Sequence, residues 1–132
     1  MTSAVLFDDA EARTINYLRP LLGVTVVSAF LKPTATTVVT VQRVGGAERN
    51  EVVDQPMLVV ECWGGSKAIA HDLAQLAWAY LRALAGGAWV DGVWCYRADT
   101  VGGPGYQPDP DTGHHRYTFT MQLGLRGQGL YS

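Results

Sequence analysis

The chain has 132 residues, 48% hydrophobic and 17% charged, a balance too apolar for disorder and too interrupted by polar residues for a membrane-embedded chain. Ten Lys and Arg against twelve Asp and Glu leave a formal charge of −2, which offers no basic surface for gripping a phosphate backbone. One soluble domain over 1–132 is expected, with no transmembrane run, no visible export signal, and two cysteines that are too few for a disulfide scaffold and suit reduced thiols in a cytosolic compartment.

Asp8 followed by Glu11 has capping-box spacing, and Ala12, Ile15, Leu18 and Leu22 recur at helical spacing, so a helix is expected from about Asp9. Pro20 has no N–H for the carbonyl of Asn16 and biases Arg19 away from helical geometry, which predicts an end or kink just before it. Stretches 24–30 and 36–44 are rich in Val and Thr, with Lys32-Pro33-Thr34 as a breaker, and read as two paired strands. Gly45-Gly46 opens a polar segment that Pro56 closes, and a third strand follows over 57–63.

Ser66 is placed to cap a helix running to about Ala85, where Gly86-Gly87 supplies the stop. Ile69, Leu73, Leu76, Ala77, Tyr80 and Leu84 fall on one side of it; Lys67, His71, Gln75 and Arg82 fall on the other, with Trp78 among them. Two more strands are expected over 93–100 and 117–126, the second alternating Tyr117, Phe119, Met121, Leu123 and Leu125 with polar or small residues. The order is helix, three strands, helix, two strands. This predicts an α+β domain with a mainly antiparallel sheet of about five strands, both helices on one face, and extended loops at about 45–56 and 101–116.

Little points to catalysis. Gly64-Gly65-Ser66-Lys67 lacks the second glycine of a nucleophile elbow and the spacing of a phosphate loop, and helix capping accounts for Ser66. His114 and His115 are adjacent, so on a strand they point to opposite faces and do not make a metal site by themselves. Glu61, in an apolar strand, reads as an outward position, a salt bridge to an Arg, or a catalytic carboxylate with no second carboxylate spaced to assist. No catalytic residue, metal or cofactor is expected. The loops fit protein contacts better: Arg43, Arg49 and Asp54 suit directional charged contacts with another subunit, and Tyr106 lies in an extended Pro/Asp-rich stretch. Trp78, on the polar helix face with Arg82, is a further interface candidate, because tryptophan is enriched where proteins meet.

Taken over nearly the whole chain, this element order with the phrases VTVQRVGG, RNEVVDQPMLVVECWGGS and HDLAQLAWAYLRAL resembles the tail terminator proteins of long-tailed, siphovirus-type bacteriophages of actinobacteria. The resemblance implies a non-enzymatic virion protein, made in the host cytoplasm, that forms a six-membered ring on the head-proximal end of the tail tube. There it would end tube polymerisation and dock the head-to-tail connector. Its partners would be further copies of itself, the tail tube protein and the connector or stopper protein, with DNA passing through unbound and no membrane involved. Arg43, Arg49, Asn50 and Asp54 lie in the matching phrases, so the candidate subunit-interface set is Arg43, Arg49, Asn50, Asp54, Trp78, Arg82 and Tyr106. Replacing Arg49 and Asp54 by alanine is expected to weaken assembly while leaving the monomer folded. The competing readings are a head-completion or stopper protein, a small cytosolic enzyme using Glu61, Cys62, Cys95 or the histidine pair, and a ligand-binding module with an apolar pocket.

Overall fold

A computed structural model describes residues 4–28, 37–46, 48–50 and 52–130, with backbone alone at 48–50 and 129–130. The short strand β1 (Ala4–Leu6) leads to helix α1 (Ala10–Leu22). Asp9 caps α1, its carboxylate accepting the N–H of Ala12 at 3.1 Å. The cap falls one residue later than the capping-box spacing suggests, because Asp8 pairs with Arg13 at 2.9 Å and Glu11 accepts the backbone N–H of Arg43 at 2.8 Å. The expected stop before Pro20 does not occur. In the last turn Pro20 forfeits one intrahelical bond, and Gly23, at φ 66°, closes the helix by donating to the Arg19 carbonyl at 3.0 Å.

Strand β2 (Thr25–Val27) pairs with β3 (Val38–Gly45) as expected, and the pair is parallel. The Lys32-Pro33-Thr34 breaker lies outside the described residues. Strand β3 then runs antiparallel to β6 (Met57–Gly64), and β4 (Glu48–Asn50) and β5 (Val53–Asp54) come between them in the chain. Val38 faces Trp63, Gly45 faces Met57, Glu48 faces Asp54 and Asn50 faces Val53. The expected loop at 45–56 is therefore the bent end of one long hairpin. Its bend needs glycine: at Gly46, φ is 96° and any Cβ would collide with the carbonyl oxygen of Gln55.

Helix α2 (Lys67–Arg82) starts at Ser66, whose hydroxyl accepts the Ile69 N–H at 3.2 Å. A 3₁₀ turn over Ala83–Gly86 follows and ends at Gly87, φ 93°. Strand β7 (Ala88–Val90) turns tightly into β8 (Val93–Tyr106) through Asp91 and Gly92, both at positive φ, the geometry of a two-residue hairpin turn. Strand β8 continues well past Thr100 against β9 (His115–Arg126), so the expected connector 101–116 is mostly sheet. The ladder extends through Gln107 N–H to Arg116 carbonyl at 2.9 Å and Asp109 N–H to His114 carbonyl at 3.0 Å, leaving a short tip. Gly102, Gly103, Pro104 and Gly105 are accommodated by register slips between Thr100 and Gly102 and between Gly102 and Gly105. Among the described residues this stretch of β8 pairs with β9 alone, so the missing donor of Pro104 falls on an edge strand.

The result is an α+β fold: two helices on a mixed, mostly antiparallel, curled sheet. Strand β9 is central, with β8 and β7 on one side and the two arms of the bent hairpin, then β2, on the other. Strand β1 and β10 (Gln128–Leu130) make a separate two-stranded ribbon. Val39, Val41, Leu58, Val60, Cys62, Phe119 and Met121 form the buried sheet face, packed with Leu18 of α1 and Ala70, Ala74, Ala77 and Leu81 of α2. The buried face of α2 includes Leu73, Ala77 and, in the turn that follows, Leu84, as expected, but Ile69 and Leu76 are 49% and 43% exposed, whereas Ala70 and Ala74 are fully buried. The cause is close approach. A Cβ on Gly64 would stand 2.6 Å from the backbone nitrogen of Ala70, so the start of the helix lies close against the end of β6 and a small residue must face inward there.

Candidate functional site

Two hairpins and α2 place the expected interface residues, and most of them turn out to engage their own chain. Arg43 near the end of β3 and Asp54 in β5 form a bidentate pair at 2.7 and 2.9 Å, with Asp54 only 4% exposed. The hydrogen bond to Asp54 holds the Arg43 guanidinium above its ordinary pKa. These two charges are therefore turned to each other, because both lie at the hairpin's bent end. Arg49 and Asn50 lie in β4, and their side chains fall outside the described residues.

Trp78 is half-buried against the core, donates its indole N–H to the Thr100 hydroxyl at 3.0 Å, and carries the Arg82 guanidinium 4.0 Å above its ring. Tyr106 lies on β8 instead of in a free loop. Its hydroxyl meets His115 Nδ1 at 2.8 Å, its ring centre lies 5.2 Å from that of Tyr117, and the Lys67 ammonium sits 4.5 Å above it. Trp78 with Arg82 and Tyr106 with Lys67 thus clasp the flank of α2 to the β8–β9 hairpin.

The reactive groups are likewise occupied or shielded. Glu61 takes Arg116 at 2.9 Å, one of its two non-catalytic readings, with Thr40 at 3.5 Å on its other oxygen. Cys62 and Cys95 are free and fully buried, and burial raises the pKa of both thiols, the reverse of an activated nucleophile. His114 contacts Thr112, and among the described residues no group of three or more His, Cys, Asp or Glu is placed to hold a metal ion. No helix of the described residues is long and apolar enough to cross a membrane.

Two open cavities mark the ends of the β8–β9 hairpin. One, of about 330 Å³, lies by the tip, where Thr112, Gly113 and His114 face Gly64 and Gly65. The other, of about 300 Å³, lies at the far end and is walled by Trp89, Trp94 and Arg126. Trp89 is 64% exposed and meets Trp94 edge-on at 5.1 Å. Neither tryptophan belongs to the candidate interface set. Asp-Gly between alternating apolar residues, as in Ala88-Trp89-Val90-Asp91-Gly92-Val93-Trp94, was the signal that pairs the two tryptophans across a hairpin. No family model matches the chain, and no curated protein matches it.

Proposed function

We propose that this chain is the subunit of a homo-oligomeric ring, and specifically a tail terminator that caps the head-proximal end of a long-tailed phage's tail tube and docks the head-to-tail connector. The observation that carries the assembly part is α2. Its inner face is buried, yet Ile69 and Leu76 stand exposed on its outer side with Ala68, Ala79 and Ala83. This exposed apolar strip, interrupted by Asp72 and flanked by the helix's polar residues, is a surface that a neighbouring subunit would cover. The settings of Glu61, Cys62 and Cys95 support the same reading over a thiol- or carboxylate-based enzyme. The terminator part rests on the resemblance of the phrases around the long hairpin and α2.

Electron microscopy of lysates from a phage genome lacking this gene tests it. Overlong, headless tails are the expected result. Tails of normal length beside heads that have lost DNA would reassign the protein as a stopper, and intact infectious virions would refute both.

A further inference from the structure

We propose that the tip of the β8–β9 hairpin of one copy seats in the Trp89–Trp94 cavity at the opposite end of that hairpin in a second copy, with Asp111 paired to Arg126 and Pro110 packed on Trp89. The argument begins with charge. Among the charged side chains described, Asp111 and Arg126 alone have no hydrogen bond, ion pair or cation–π contact. The others are taken up, as Arg13 is by Asp8 and Asp91, Arg43 by Asp54, Arg97 by Asp99, Arg116 by Glu61, Lys67 by Tyr106 and Arg82 by Trp78. The two unengaged charges are opposite in sign and lie at opposite ends of one hairpin, on the order of 35 Å apart at strand rise. They do not meet within one copy.

Shape and chemistry agree with the charges. The cavity of about 300 Å³ presents an exposed tryptophan, a second tryptophan edge-on to it, and the Arg126 guanidinium. Among the described residues its one acidic wall residue, Asp8, is already paired with Arg13 at 2.9 Å. Proline-bearing segments favour aromatic-lined grooves, and a guanidinium favours a carboxylate in plane. The tip offers both: Pro108, Pro110 and Asp111 are exposed. It is also held in shape, since Asp109 accepts the Asp111 N–H at 3.0 Å on its carboxylate and the Gly113 N–H at 2.7 Å on its carbonyl. A preformed tip loses little conformational freedom on docking.

A projection at one end and a socket at the other make a head-to-tail contact, which propagates from copy to copy and either closes as a ring or continues as a filament. The inference deepens the ring reading by naming two surfaces that meet, and it rests on that reading only for closure. Sedimentation of the purified full chain tests it with Asp111→Arg, Arg126→Glu and an equimolar mixture of the two. In each variant alone the tip meets a socket of like charge, and self-association is expected to weaken at least about tenfold. In the mixture every tip finds an opposite socket, and assembly is expected to recover. Both side chains are exposed, so circular dichroism and the thermal midpoint should match the wild type. Wild-type-like assembly of either variant, as when the cavity serves another partner, overturns the contact and leaves the ring reading standing. So does a mixture that fails to recover. A wild type that stays monomeric at every concentration also overturns the contact, and the ring reading is then decided by the lysate experiment.

Discussion

Arg43 grips Asp54 with both terminal guanidinium nitrogens across the bend where β3 and β6 give way to β4 and β5, and the two partners are unequally buried. The side chain of Asp54 keeps 6% of its surface and that of Arg43 keeps 31%. Removing one partner is therefore not equivalent to removing the other. Arg43→Met would strand a buried carboxylate and should cost about 2–4 kcal/mol at neutral pH. Asp54→Asn leaves a guanidinium that can turn to water and should cost about 1–2 kcal/mol. Urea unfolding of both variants checks the asymmetry; equal losses, or a larger loss for Asp54→Asn, would contradict it. The expectation that alanine at Asp54 spares the folded monomer is revised accordingly.

Glycine 64 and glycine 105 should respond oppositely to alanine. A Cβ at Gly64 would stand 2.6 Å from the Ala70 nitrogen and 3.1 Å from its Cα, atoms held by α2 itself, whereas a Cβ at Gly105 meets nothing within 4 Å. Gly64→Ala must push helix from sheet and should lose about 1–3 kcal/mol. Gly105→Ala should stay within about 0.5 kcal/mol of the wild type. Thermal unfolding of the pair decides the matter, and a tolerated alanine at 64 would mean that the helix sits farther from β6.

What the chain revealed in advance was what depends on neighbours in sequence. Ser66 announced α2, and the alternation from Tyr117 to Leu125 announced β9 and the face it buries. The far ends of the two hairpins were hidden, because Gly45-Gly46, Pro56 and the run Gly102-Gly103-Pro104-Gly105 have the composition of breakers. In the fold, bulges and an edge position absorb them. The buried side of α2 was legible at Leu73, Ala77 and, in the turn that follows, Leu84, but not at Ile69 and Leu76, because periodicity favours the largest apolar residues, while the close packing at Gly64 selects the small Ala70. Partner choice was the least legible, since nothing local tells that Glu61 will meet Arg116, 55 positions away.

The two cysteines should behave as buried hydrophobes with a latent alkaline cost. Burial raises the pKa of Cys62 and of Cys95, so the folded state resists forming thiolate while the unfolded state does not. Their contribution is intact below the unfolded value of about 8.5 and declines as pH rises through and beyond it toward the folded values. Native protein should therefore label with an aromatic disulfide reagent only as fast as it opens, and the urea midpoint should drop between about pH 8.5 and 10. A Cys62→Ala, Cys95→Ala variant should show a shallower drop. Fast, stoichiometric labelling of the native protein would refute the prediction.

Asp109 should give the hairpin tip an acid limit. The N–H of Asp111, then the Thr112 hydroxyl and N–H and the charge of Arg116, hold its carboxyl below the usual range against a smaller opposing effect of burial. A folded value below the unfolded one means the ionised form supports the tip at any pH above about 3.9, and this support is lost as pH falls through the folded value. By NMR the Asp109 carboxyl should titrate with a midpoint below about 3.9. The Gly113 amide, which donates to the Asp109 carbonyl at 2.7 Å, should lose exchange protection over the same interval. In Asp109→Asn the carboxamide oxygen can still accept the Asp111 N–H, but the charge is gone, so the acid-dependent part of that protection should disappear while some protection remains at neutral pH. A midpoint at or above 3.9, or a Gly113 amide indifferent to acid in the wild type, would show that the tip is organised without this carboxylate.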